Sequence, residues 1–243
     1  MQARRDPGVA FGQPIIISVL IGLLFSALFS AVDQIEGFPV PTYDDWVLPG
    51  TLFLSAVVGA GFSPAELLRD LQTGFLDRMR LSTADPVALV VGRAGFEAVR
   101  GAIAAAVVLG VGLARGLQNE GGLVGAIFLV LLTAGFAFAW NGVFFYFAIK
   151  TQNPAAVLGL QPLFFPVLLF STWFGPRLLM PDWYETVARF NPVTAYLDSM
   201  RSSLVGDLDG GLVAISVLFI IGLSVLSYGG AVRQYRMLGR SNP

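Results

Sequence analysis

Apolar residues run in long blocks along this chain, and charged residues collect between them. The first block, Pro14 to Val32, holds no charge and follows Arg4 and Arg5. About 20 apolar residues at ~1.5 Å each cross a ~30 Å hydrocarbon layer. A signal peptide has a similar profile. No small-residue cleavage site precedes the acidic loop Asp33–Trp46, so the block is read as a span. The same pattern predicts spans at about 47–65, 87–114, 122–149, 155–176 and 211–232. The expected fold is therefore all-α, a polytopic membrane protein with six transmembrane helices in which residues 1–243 form one transmembrane domain. No internal repeat is visible, which argues against an inverted-repeat carrier.

Two polar segments carry helical periodicity of their own. Between the second and third spans, Leu67, Leu71, Phe75 and Met79 recur every four residues and form one apolar stripe. Glu66, Arg69, Asp70, Asp77, Arg78 and Arg80 fall mostly off it, and Gly74 interrupts the helix. This fits an interfacial helix on the cytoplasmic leaflet or a docking helix for a cytoplasmic partner. The mixed charge favours docking, because a lipid-binding helix is more uniformly basic. Before the last span, Pro181 opens a short helix with Trp183, Val187 and Phe190 on one face and the pair Glu185–Arg189 on the other. Asn191-Pro192 restarts it, since Asn is a good N-cap and Pro suits the first helical position. Val193, Tyr196, Leu197, Met200 and Leu204 continue one stripe. We expect two amphipathic helices, re-entrant or lying at the outer surface; interfacial anchoring by Trp and Tyr is the alternative.

Charge sets the orientation. Taking the N-terminus, 66–100, 150–154 and the C-terminus as one side gathers 11 of the 15 basic residues there, and leaves 10 of the 16 acids on the other. Lys and Arg stay inside, so both termini are expected in the cytoplasm and the Asp33–Trp46 and 177–210 segments outside. Composition agrees with a membrane protein: 55% of residues are hydrophobic, 13% are charged, and the mean hydropathy is +0.72. A soluble domain carries about 25% charged residues. Fourteen of the basic residues are Arg, a bias that suits a GC-rich bacterial genome.

The missing residues narrow the chemistry. There is no Cys and no His. That excludes disulfides, iron–sulfur clusters, HExxH metal sites and Ser-His-Asp triads. The single Lys, Lys150, follows Ile149, so no GxxxxGK[ST] phosphate loop exists. Neither is there a GxSxG. The external acids Asp33, Glu36, Asp44 and Asp45 lack calcium-loop spacing. We find no catalytic constellation and expect no bound cofactor or metal.

Inside the spans, Arg93, Glu97 and Arg100 share one helix face at i, i+4, i+7. They fit structural anchoring, with Arg snorkelling to the interface, or a role in gating. Gln161, Pro162 and Pro166 suggest a bent fifth span whose freed backbone groups need partners. Phe164, Phe165, Phe170, Trp173 and Phe174 lie along it. Asn141 fits an interhelix hydrogen bond, and Gly121 with Gly125 makes one GxxxG.

Two stretches together resemble the permease subunits of type-2 ATP-binding-cassette exporters, and most closely the daunorubicin-resistance-type permeases. One is Asp70-Leu-Gln-Thr-Gly74-Phe-Leu-Asp77-Arg78-Met-Arg80 with Pro86 and Gly92-Arg93. The other is Gln161-Pro162-Leu-Phe-Phe-Pro166, then Phe170-Ser171, Pro176, Met180-Pro181-Asp-Trp183, Asn191-Pro192 and Arg201 to Gly206. Tyr43 and Pro49-Gly50 fit as well, and the resemblance covers about residues 4 to 240. It implies a dimer of permeases, this chain with a second copy or a homologue, and two cytoplasmic ATPases that bind ATP and magnesium. It implies that the loop 66–86 docks on the ATPase and that external helices containing Met180, Pro181, Trp183, Asn191, Pro192 and Arg201 cap the exit. A path lined by the second and fifth spans would use Phe53, Phe62, Gln161, Phe164, Phe165, Phe170 and Trp173. Members usually begin with a longer amphipathic helix, whereas 13 residues precede Pro14 here. The expected role is export of an amphipathic drug, lipid or glycolipid across a bacterial plasma membrane, with membrane lipid around it and no nucleic acid. A non-transporting scaffold and an ion-coupled carrier are the rival readings.

Overall fold

A computed structural model describes residues 7–59, 86–160, 162 and 164–240. Nine α-helices are found among them: α1 Pro7–Phe29, α2 Tyr43–Gly59, α3 Pro86–Ala114, α4 Gly122–Thr151, α5 Pro154–Leu158, α6 Phe164–Leu169, α7 Asp182–Phe190, α8 Pro192–Leu204 and α9 Gly210–Arg240. No strand occurs among the described residues, in keeping with the all-α reading. Four helices, α1, α3, α4 and α9, are long and apolar enough to cross a membrane, and the protein is multi-pass.

Their outward faces are apolar. Ile16, Leu20, Leu24 and Leu28 of α1 and Leu218, Val225 and Leu226 of α9 are exposed. Such a surface is suited to lipid rather than to water. In contrast, α2 is wrapped on nearly all sides, with 15 of its 17 residues buried. Central to the packing is α4, which lies against α3 and α9 and also touches α2 and α8. The core they share is aromatic: Phe53 of α2 sits 4.3 Å from Phe136, 5.1 Å from Phe164 and 5.2 Å from Tyr196, ring centre to ring centre.

Two expectations about the spans change. The segment 155–176 is not one helix. It is divided into α5 and α6 and leaves helical geometry at Phe170. Pro162 stands between the two helices, lacks the N–H that would continue the ladder, and its ring would clash with a preceding helical turn. Pro166 lies in the first turn of α6, where no intrahelical donor is required. Helix α2 begins at Tyr43, before the expected Val47. Its start is a capping box: the Asp45 carboxylate accepts from the Thr42 N–H at 3.0 Å, and the Thr42 hydroxyl accepts from the Asp45 N–H at 3.3 Å.

The segment before the last span folds as two helices, as the periodicity predicts. Asn191 caps α8 by accepting from the Val193 N–H at 2.9 Å, with Pro192 at the first helical position. The stripe Val193, Tyr196, Leu197, Met200 and Leu204 is wholly buried. Thus α8 is part of the core, packed on α9, α4 and α2. Glu185 and Arg189 of α7 pair at 3.6 Å.

Candidate functional site

Three chain segments meet at the expected outer end of the bundle, and Arg201 of α8 ties them together. Its side chain is buried, yet every guanidinium N–H has an acceptor. Nε and Nη2 donate to the Trp46 carbonyl at 3.3 and 3.2 Å, and Nη2 also donates to the Thr172 carbonyl at 2.8 Å. Nη1 donates to the Thr172 hydroxyl at 2.9 Å and to Asp198 Oδ1 at 2.8 Å. The guanidinium also lies 3.6 Å from the centre of the Trp46 ring. Burial lowers its pKa to about 10, against the opposing pull of Asp198, so it is charged throughout the physiological range. Beside it, burial raises the Tyr43 phenol to about 12, partly countered by Arg201. The Tyr43 hydroxyl donates to the Phe174 carbonyl at 2.9 Å, fastening α2 to the turn after α6.

Neighbouring polar pairs extend this lock. Arg177 donates to Asp198 Oδ2 at 2.9 Å. The Gln118 N–H donates to Asp45 Oδ1 at 2.9 Å, and Arg115 reaches Asp44 at 3.0 Å and Ser26 at 3.2 Å. Close backbone approach completes it. A Cβ on Gly50 would lie 1.8 Å from Trp173, and one on Gly121 would lie 2.0 Å from the Ser203 carbonyl oxygen. The GxxxG at Gly121 and Gly125 thus receives the C-terminal end of α8, where the Gly121 N–H donates to Leu204 at 3.1 Å.

At the opposite end of α2, Arg100 and Glu97 of α3 form a buried ion pair, and Arg100 also donates to the carbonyl of Gly59. Arg93 is partly buried on the same face. One guanidinium therefore holds the last described residue of α2 against α3. The expected coupling residues Glu66, Arg69, Asp70, Gly74, Asp77, Arg78 and Arg80 lie outside the described residues.

The expected path residues take different places. Phe53, Phe164 and Trp173 are buried in the aromatic core, whereas Phe165 and Phe170 are exposed. Phe62 and Gln161 lie outside the described residues. Asn141 is fully buried in α4. Among the residues expected outside, Asn191 caps α8 and its amide also donates to Val167 and Phe170 carbonyls at 2.6 and 2.9 Å. Trp183 and Phe190 of α7 project outward at 62% and 81% exposure, and Met180 and Pro181 lead into that helix. Asp198, Arg177 and Thr172 escaped the sequence reading, although Asp198 stands one helical turn before Arg201 on the same face.

Comparison with known proteins gives a consistent result. Residues 1–205 match the family described as ABC-2 type transporter. Over 227 residues the chain is 25% identical to the daunorubicin resistance ABC transporter permease protein DrrB1 of Streptomyces coeruleorubidus, covering 92% of this chain and 77% of that one. It is 22% identical over 193 residues to the probable doxorubicin resistance ABC transporter permease protein DrrC of Mycobacterium tuberculosis, covering 79% and 68%. Identity to the probable multidrug ABC transporter permease YbhR of Escherichia coli is 19% over 195 residues, covering 80% and 53%. No solved structure matches. With most of its length matched to one family, the chain belongs to the ABC-2 type transporters, as a membrane permease.

Proposed function

We propose that this chain is the permease of an ATP-driven exporter for an amphipathic drug, lipid or glycolipid. It works with two cassette ATPases and a second permease, identical or homologous. The observation that carries this reading is the alignment with a daunorubicin resistance permease across 92% of the chain. Both termini face the cytoplasm, and the protein sits in a bacterial plasma membrane. The loop 66–86 docks on the ATPase, which holds ATP and magnesium; this chain binds neither.

The buried contacts supply a route for force. The loop follows α2, whose end at Gly59 is held by Arg100, while Trp46 near its start is held by Arg201. A push on the loop therefore moves α2 as a unit and reaches the outer lock. The ion-coupled alternative needs a free acid as proton relay, and Glu97 is instead ion-paired to Arg100. The outward apolar face of α7, with Trp183 and Phe190, is available to cap the exit from a two-permease assembly.

The test is transport. The chain is co-expressed with its cognate cassette ATPase, and inside-out vesicles are assayed for ATP-driven uptake of daunorubicin and of a fluorescent phospholipid. Uptake of one or both is expected, abolished by a catalytic mutation in the ATPase and absent without it. Hydrolysis of ATP by this chain alone, or a stable complex that hydrolyses ATP yet moves neither, would overturn the reading.

A further inference from the structure

We propose that the outer end of this chain contains a binding cleft for an anionic headgroup carried on an apolar body. The cleft has a volume of about 370 Å³ and lies between the loop after α1 and the α6–α8 region. That is enough for a headgroup and part of an attached chain, since small-molecule sites begin at roughly 300 Å³. Pro39, Val40, Trp46 and Leu178 form apolar wall, and Arg177, Asp198 and Arg201 supply the charge.

Donor and acceptor capacity decides the sign of the ligand. Arg201 has all five N–H groups engaged, by Trp46, Thr172 and Asp198. Asp198 is engaged on both oxygens: Oδ1 accepts from Thr172 and Arg201, and Oδ2 accepts from Arg177. Little acceptor capacity is left for a cation. Arg177 is different. Among the described residues it makes a single hydrogen bond, to Asp198, and its side chain is 40% exposed. Its remaining N–H groups meet no acceptor among those residues, and the cluster of two guanidiniums and one carboxylate carries one excess positive charge. On the far side of Arg201, Asp45 is committed to Thr42 and Gln118, and Glu120 is exposed to water. A phosphate or carboxylate matches the guanidinium fork, and the apolar walls favour a molecule whose headgroup continues into a hydrocarbon. Such a molecule comes from the surrounding leaflet or from the cargo on its way out.

The test needs no ATPase, so its failure leaves the export reading untouched. The permease in phosphatidylcholine nanodiscs is titrated with dodecyl phosphate and with dodecyltrimethylammonium by calorimetry. Dodecyl phosphate is expected to bind, the ammonium not. Arg177→Gln loses a charge-assisted bond, which lowers affinity on the order of 10- to 100-fold, and Arg177→Lys recovers most of it. Val40→Glu sets an acid in the wall without touching the lock and should also abolish binding, so it decides the matter if Arg177→Gln proves unstable. Replacing the nanodisc lipid by phosphatidylglycerol separates the sources. Competition with dodecyl phosphate assigns the cleft to leaflet headgroups, and unchanged affinity assigns it to molecules arriving by another route. Equal binding of dodecyl phosphate by wild type and by a folded Arg177→Gln or Val40→Glu variant, or equal binding of the ammonium, overturns the proposal.

Discussion

Replacing Arg201 by Met tests whether the lock around this residue holds the fold together. The substitution removes five N–H···O bonds while keeping much of the buried volume. Two of the five go to the Trp46 carbonyl, which lies within a helix and can be satisfied there. The three that matter go to the Thr172 carbonyl, the Thr172 hydroxyl and Asp198. Bonds from a charged donor contribute about 1.5–3 kcal/mol each, so their loss costs about 4–9 kcal/mol. Against this stands the release of a desolvated guanidinium, whose burial lowers its pKa to about 10. The expected net loss therefore lies toward the lower part of that range, in line with the roughly 3–5 kcal/mol lost when one member of a buried ion pair is removed. A loss of about 3 kcal/mol lowers Tm by about 6–12 °C in a chain of this size. The assay is thermal unfolding of the purified permease in one detergent, followed by near-UV circular dichroism and by size exclusion. Arg201→Lys keeps the charge but lacks the planar fork, and should fall between the two. A Tm for Arg201→Met within about 1 °C of wild type would refute the reasoning, as would full restoration by Lys.

Further outcomes follow from the same contacts. Gly121→Ala places a Cβ 2.0 Å from the Ser203 carbonyl oxygen; backbone must shift, at a cost of about 1–3 kcal/mol, read as a lowered Tm. Glu36 and Asp207 are exposed, so Glu36→Cys and Asp207→Cys should react with an impermeant thiol reagent in intact cells, and Lys150→Cys only after lysis. The absence of native cysteine makes that readout clean, and labelling of Lys150→Cys in intact cells would reverse the proposed orientation.

The periodic parts of this fold were legible in the sequence. Helix α8 is the clearest case, because Asn191, Pro192 and the stripe from Val193 to Leu204 state its cap, first turn and buried face locally. Its depth was less legible. An amphipathic helix on a surface and one inserted among α2, α4 and α9 have the same period, and only the partner faces tell them apart. The fifth span misled through composition: residues 155–176 carry no charge, yet the helix is interrupted around Pro162 and ends at Leu169. The site was half legible. Arg201 stood out through the resemblance, but its partners Thr172 and Trp46 are 29 and 155 residues away, and no local pattern encodes such a distance. The capping box Thr42–Asp45 was open to reading and would have placed the start of α2 correctly.

The two buried arginines act on one helix, and that gives export a particular dependence on them. Arg201 holds α2 at Trp46, and Arg100 holds it at Gly59, thirteen residues further on, a separation of about 20 Å along the axis. Among the described residues they share no partner. Their effects on stability should therefore add to within about 0.5 kcal/mol. Export is different under the proposed function. If force enters through the loop after α2 and leaves at the outer lock, the anchors stand in series, and loss of either one uncouples the strut. Arg100→Gln and Arg201→Met should each leave ATP hydrolysis by the complex running while vesicle uptake falls at least tenfold. The double mutant should transport no worse than the poorer single mutant, although its Tm falls by the sum of the two shifts. Multiplicative loss of transport, with each anchor contributing an independent factor, would show that α2 is not the strut. A conservative Arg100→Lys that restores stability but not uptake would place the requirement on the hold at Gly59 rather than on charge alone.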